Sequence, residues 1–165
     1  VADNSPYRSG KGHLYEGGIR VPYIMKWPGH IKPGSVSEIP TKSEDIYATI
    51  IDIADVGEYA NKPLDGRSLV SDFSDEEKVE LHWYYPHYSP HGNKPGAAIQ
   101  SDDWKLIEFY DPKQIKLYNL KRDPGETNNL TKEVPWKVQE LSGKLHRWLH
   151  ETDPIMHTMN PQYEK

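Results

Sequence analysis

The sequence predicts an α/β start and an α+β end: a strand and a helix, then a small four-stranded antiparallel sheet packed by a C-terminal helix. Three observations lead there. Residues 1–40 alternate glycine- and proline-rich loop signals with one short apolar run, and residues 43–55 carry isoleucines at helical spacing. Between residues 79 and 120, four short strand-like segments are separated or ended by turn signals. Beyond Pro135 apolar residues recur every third or fourth position.

In chain order, the apolar run Val21-Pro22-Tyr23-Ile24-Met25 reads as a strand closed by the turn Trp27-Pro28-Gly29. Thr41-Lys42-Ser43-Glu44 has capping-box spacing, and Ile46, Ile50, Ile53 and Ala54 follow on one helical face, so a helix is expected over 43–55. Asn61-Lys62-Pro63-Leu64-Asp65-Gly66 is turn chemistry. Residues 71–78 are polar, which places a domain boundary near residue 75 and divides the chain into 1–75 and 76–165.

In the second half, Val79, Leu81, Trp83 and Tyr85 alternate with Glu80, His82 and Tyr84, the period of a half-buried strand. Residues 97–101, 104–110 and 115–120 are the other strands, with Asp111-Pro112 and Asp123-Pro124 as breaks. Pro135 opens a helix whose Val138, Leu141, Leu145, Trp148 and Leu149 form one apolar face, suited to lie across the sheet.

Composition narrows the function. The hydrophobic share is 35% and mean hydropathy −0.85, low for a self-contained domain of 165 residues, so some packing partners are expected elsewhere. Tyr (11) and Trp (5) outnumber Phe (2), which gives most rings a polar handle and suits either a sugar or ordinary strand packing. Charges of both signs are interspersed around a net −5, which argues against nucleic acid or a polybasic membrane patch as partner. Without cysteine there is no disulfide framework, thiolate metal site or cysteine nucleophile. No apolar run approaches the ~20 residues that span a bilayer, and the run at 50–54 is broken by Asp52. A chain opening on Val1 without a leader is expected to be a piece whose targeting segment lies upstream.

The most informative stretch is Gly10-Lys11-Gly12-His13-Leu14-Tyr15-Glu16-Gly17-Gly18, where glycines flank a lysine and let backbone approach an anion that the ammonium neutralises. It is not a phosphate loop, because Ser5 stands at the first position and Gly12 follows the lysine. Taken alone, Lys11 fits a solvated surface lysine as well as an anion ligand. His82, His87 and His91 crowd one segment, but no acidic or thiolate partner follows at ligand spacing. His146 and His150 lack the intervening glutamate of a zincin helix and read as a solvated face.

Gly10-Lys11-Gly12, then Tyr15-Glu16-Gly17-Gly18-Ile19-Arg20-Val21-Pro22, then Trp27-Pro28-Gly29-His30-Ile31, is similar in order and spacing to a signature segment of the sulfatases, the formylglycine-dependent branch of the alkaline-phosphatase superfamily. The helix from Glu44 to Ala54, Leu64-Asp65-Gly66-Arg67-Ser68-Leu69, His82-Trp83-Tyr84-Tyr85-Pro86-His87-Tyr88, and Leu117-Tyr118-Asn119-Leu120 with Asp123-Pro124-Gly125-Glu126-Thr127-Asn128-Asn129-Leu130 resemble its later landmarks in order. The resemblance runs from Asn4 to the tail Asn160-Pro161-Gln162-Tyr163. Gln100, where many relatives carry Arg, and His13, where many carry Ser or Thr, depart from it.

The resemblance implies the C-terminal portion of a sulfate-ester hydrolase: residues 1–75 the end of its catalytic α/β domain, 76–165 its C-terminal subdomain. By carry-over Lys11 is the catalytic lysine that contacts the sulfate, and His13, His87 and Tyr88 are substrate contacts; an exposed histidine without a task is the alternative for His13. Glu16 and Arg20 read as a structural pair. The family's mechanism uses a calcium ion and a formylglycine made within Cys/Ser-x-Pro-x-Arg, a motif this chain lacks. Its metal ligands are expected upstream, so these residues alone are expected to be inactive and to bind no catalytic metal. Implied partners are a sulfated carbohydrate and the N-terminal part of the same protein, with no nucleic acid or membrane; the implied location is periplasmic or secreted. Competing readings are a non-catalytic carbohydrate-binding or interaction module and a related phosphate or phosphonate hydrolase.

Overall fold

A computed structural model of the chain describes residues 3–57, 63–70, 79–156 and 158. Asn61, Lys62, the polar segment 71–78 with its expected boundary, and the tail at 160–163 lie outside them. In order, the elements are α1 (Glu16–Ile19), α2 (Ser43–Ile53), β1 (Glu80–Tyr85), β2 (Gly96–Ser101), β3 (Trp104–Tyr110), β4 (Lys113–Asn119) and α3 (Pro135–Thr152). The chain divides into two compact units, one of residues 1–22 with 82–165 and one of residues 23–81. The first 22 residues therefore group with the second half, a division different from the cut near residue 75 that composition suggested.

The sheet has the order β1-β2-β3-β4, with β2–β3 and β3–β4 antiparallel. Its register pairs Ile99 with Leu106 and Leu106 with Leu117, so period-2 alternation puts these side chains on one face. That face and Ala97 pack against Leu141 and Leu145 of α3, with Val138, Trp148 and Leu149 closing the edges. The five residues expected to face the sheet all do so. Glu108, also on this side, accepts hydrogen bonds from Ser142 Oγ at 2.8 Å and His146 Nε2 at 2.8 Å. His146 is thus hydrogen-bonded to Glu108 rather than merely solvated.

The opposite face was not anticipated. Ala98, Ile107, Phe109 and Tyr118 pack with Leu14 and Tyr15, and Trp83 and Tyr85 lie against the cluster. The segment leading into α1 thus covers the second side of the sheet. Antiparallel sheets often leave one face to water; this one is covered on both.

In the other unit, α2 starts at Ser43 as expected, but its box partner is Asp45 rather than Glu44: the Asp45 carboxylate accepts the Lys42 N–H at 2.9 Å. Asp45 also accepts the Arg67 N–H at 3.0 Å, and Thr49 Oγ1 accepts the Leu69 N–H at 2.9 Å. The helix therefore buries Asp45, Ala48 and Thr49, while Ile46, Ile50 and Ile53 remain exposed. The expected strand at 21–25 is not formed; the chain there has no regular secondary structure, with Val21 78% and Ile24 90% exposed. A strand needs a neighbour for its backbone groups, and none pairs with it among the described residues.

Candidate functional site

Lys11 sits on a loop that doubles back over α1. Gly17 N–H donates to Arg8 O at 2.9 Å, and Gly18 N–H to Tyr15 O at 2.8 Å. A Cβ on Gly17 would lie 2.5 Å from Arg8 O, and one on Gly18 2.7 Å from Gly10 O. Only glycine allows this approach of main chain to main chain, which is the physical content of the Gly-Gly pair. The Lys11 side chain is exposed, and no hydrogen bond or ion pair engages its ammonium among the described residues.

His13 is partly buried, with Nδ1 3.1 Å from Gly10 O. With Gly12, Leu14, Gly18, Ile19 and residues Trp83, Tyr84 and Tyr85 at the end of β1, it lines a depression of about 210 Å³. Of the two other expected substrate contacts, His87 is exposed and edge-on to Tyr85 at 5.5 Å, whereas the Tyr88 hydroxyl donates to the Asp111 carboxylate. Instead, Ser89 and His91 reach the Lys11 loop: Gly12 has φ +87°, and a Cβ there would lie 2.8 Å from Ser89 Oγ and 3.6 Å from His91 Cδ2. His82 stacks on Trp148 at 4.9 Å on the helix side of the sheet, so the histidine-rich segment is dispersed over different surroundings.

Beneath the loop lies a buried charge cluster that sequence reasoning missed. Lys105 of β3 is fully buried, its Nζ 2.8 Å from Glu16 Oε1 and 3.0 Å from Glu126 Oε1. Glu126 Oε2 accepts the Glu16 N–H at 2.7 Å. Arg20 lies 3.7 Å from Glu16, so the expected Glu16–Arg20 pair is present at the rim of a larger network. Burial pushes the Glu126 carboxyl above its ordinary range, against the pull of Lys105 and the Glu16 N–H. Arg8 Nη1 donates to Glu126 O at 2.8 Å and Tyr118 Oη at 3.3 Å, and its guanidinium lies 4.2 Å from the centre of the Tyr15 ring. Burial, then Tyr15, raises the Tyr118 hydroxyl's pKa and keeps it neutral at ordinary pH. One signal was available: Lys105 shares a strand face with Ile107 and Phe109, where a cation must be paired to be buried.

The family model described as N-sulphoglucosamine sulphohydrolase, C-terminal, matches residues 9–154, from the Lys11 loop to the end of α3. The chain belongs to the sulfatase family. It is 38% identical to a sulfatase of Formosa agariphila over 165 aligned residues, covering 89% of this chain and 30% of that relative. It is 33% identical to the N-acetylglucosamine-6-O-sulfatase of Bacteroides thetaiotaomicron, over 73% of this chain and 23% of the relative. In fold it is similar to the crystal structure of Ps i-CgsB in complex with k-i-k-neocarrahexaose, with a TM-score of 0.72, 26% identity, and coverage of 89% of this chain and 32% of that one. The chain thus spans about a third or less of the relatives it matches.

Calcium and formylglycine, which this family implies, do not fit the residues in hand. Among the described residues no group of three His, Cys, Asp or Glu side chains is placed to hold a metal ion. The sequence contains neither cysteine nor Ser-x-Pro-x-Arg. Among the described residues no helix is long and apolar enough to cross a membrane.

Proposed function

We propose that this chain is the C-terminal part of a carbohydrate sulfatase, in which Lys11 binds the sulfate group of the substrate and stabilises charge during sulfuryl transfer. The observation that carries the reading is the unengaged ammonium of Lys11 on a loop held by α1, beside a depression walled by His13 and the β1 aromatics. An ammonium with free donors meets sulfate oxygens by charge-assisted hydrogen bonds, and aromatic faces with polar edges suit a sugar. Relatives named for N-acetylglucosamine and N-acetylgalactosamine sulfate esters support a sulfated carbohydrate as substrate.

The remainder of the longer protein is assigned the nucleophile, the calcium ligands and the formylglycine. In this reading residues 1–75 close its catalytic α/β domain and 76–165 form the C-terminal subdomain. The exposed Val21, Ile24 and Ile50 then face that remainder. A sulfated polysaccharide substrate places the enzyme in the periplasm or outside the cell.

In the longer protein, Lys11→Ala is expected to lower kcat/KM for an aryl sulfate on the order of 10²-fold or more, with the melting temperature unchanged. Lys11→Arg restores part of the loss, because a planar fork does not replace a compact ammonium. His13→Ala and His87→Ala raise KM for a sulfated oligosaccharide more than for the aryl ester. Near-native turnover by Lys11→Ala, with the fold intact, would overturn the assignment of Lys11.

A further inference from the structure

The buried cluster holds both ends of the Lys11 loop through one side chain's neighbourhood. At the entry, Arg8 is bonded to the Glu126 main chain. At the exit, the Glu16 main chain is bonded to the Glu126 carboxylate, and the Glu16 side chain to Lys105, which itself reaches Glu126. We propose that Glu126, Lys105 and Arg8 are positioning residues for Lys11, fixing the two feet of its loop so that the ammonium is presented before substrate arrives. This rests on Lys11 contacting the sulfate, as proposed above.

Energetics favour a positioning role over a stabilising one. Two carboxylates share one buried ammonium, and buried ion clusters contribute little net stability because desolvation offsets attraction. What such a cluster supplies is direction: charge-assisted bonds are short and angle-dependent, and here they act on the backbone N–H that begins α1. Gly17 and Gly18 then transmit that placement by main-chain contact to residues 8–13, with no flexible side chain in between. A loop ordered beforehand loses less conformational freedom on binding.

The test is a double-mutant cycle in the longer protein, with an aryl sulfate as probe and melting temperature as the control for folding. Glu126→Gln keeps an acceptor for the Glu16 N–H but loses the ionic bond to Lys105. It is expected to lower kcat/KM on the order of 10-fold or more, since small misplacements of a charged group weigh heavily, with melting within a few degrees of the parent. In the Lys11→Ala background the same change is expected to cost less than about twofold, because the loop then has no ammonium to aim. Losses that simply multiply across the cycle, or full activity of Glu126→Gln, would overturn the positioning role while leaving the Lys11 reading intact. Full activity of Lys11→Ala by itself would overturn both. Should Glu126→Gln fail to fold, Arg8→Lys enters the same cycle: it keeps the charge but lacks the planar guanidinium that bonds Glu126 O and Tyr118 Oη while lying over the Tyr15 ring.

Discussion

The sheet with α3 and the helix α2 carry the same kind of sequence signal and end in opposite packing. In α3, apolar residues at helical spacing point Leu141 and Leu145 into a closed core. In α2, Ile46, Ile50 and Ile53 are spaced in the same way and stand exposed, while Asp45 and Thr49 are the buried residues. Periodicity reports which side chains share a face, not whether an apolar partner is present to cover it. Where no such partner stands over the stripe among the described residues, α2 is secured by hydrogen bonds to loop backbone at Arg67 and Leu69.

The contrast has measurable consequences. The largest belongs to the closed core: Leu145→Ala, at a fully buried position, is expected to lower stability by about 2–5 kcal/mol, read by denaturant unfolding. Asp45→Ala removes the acceptor of two backbone N–H groups and should cost about 1–3 kcal/mol, with loss of hydrogen-exchange protection confined to 42–69. A loss spread over the sheet as well would show that the two regions do not unfold separately.

Acid should act on the turn at 123–128 with a defined sign. Burial works against the Asp123 carboxylate, but hydrogen bonds from the Asn128 and Thr127 N–H groups and the Thr127 hydroxyl hold it below its ordinary range. Its contribution is therefore present above the ordinary carboxylate range and lost as pH falls through the depressed value. Glu126, whose carboxyl is raised, has the opposite sign: its ionised form is disfavoured in the fold, and that burden is relieved as pH falls. Asp123→Asn should flatten the acid limb of the stability profile, whereas Glu126→Gln should not.

The smallest effect is expected at Ile50. In the 165-residue chain, Ile50→Ala should shift stability by no more than about 0.5 kcal/mol, as for other exposed positions. In the longer protein the same change should cost about 1–3 kcal/mol if the stripe is covered there. Equal, negligible effects in both would remove the support that the exposed stripe lends to a catalytic domain over residues 1–75.

The element order was largely legible. Strands β2 to β4, α2 and α3 were placed to within a few residues, because alternation, Asp-Pro breaks and a proline at the helix start are local signals that bind to local geometry. The sulfatase segment around Lys11 was legible for another reason: Gly17 and Gly18 are required by contacts only a few residues away. The strand expected at 21–25 failed because a strand is defined by hydrogen bonds to something else.

Local chemistry in the chain, its turn residues and periodicities, was sufficient to place the four strands of the sheet, α2, α3 and the α3 core face, and likeness to the sulfatase segment marked the loop that carries Lys11. Tertiary structure alone decided that Leu14 and Tyr15 close the second face of the sheet, that Ser89 and His91 lie against Gly12, and that Lys105 finds Glu16 and Glu126. These contacts join residues as far apart as 16 and 126. A buried charge becomes tolerable only when its partners arrive in space, and no periodicity along the chain encodes which partners those will be.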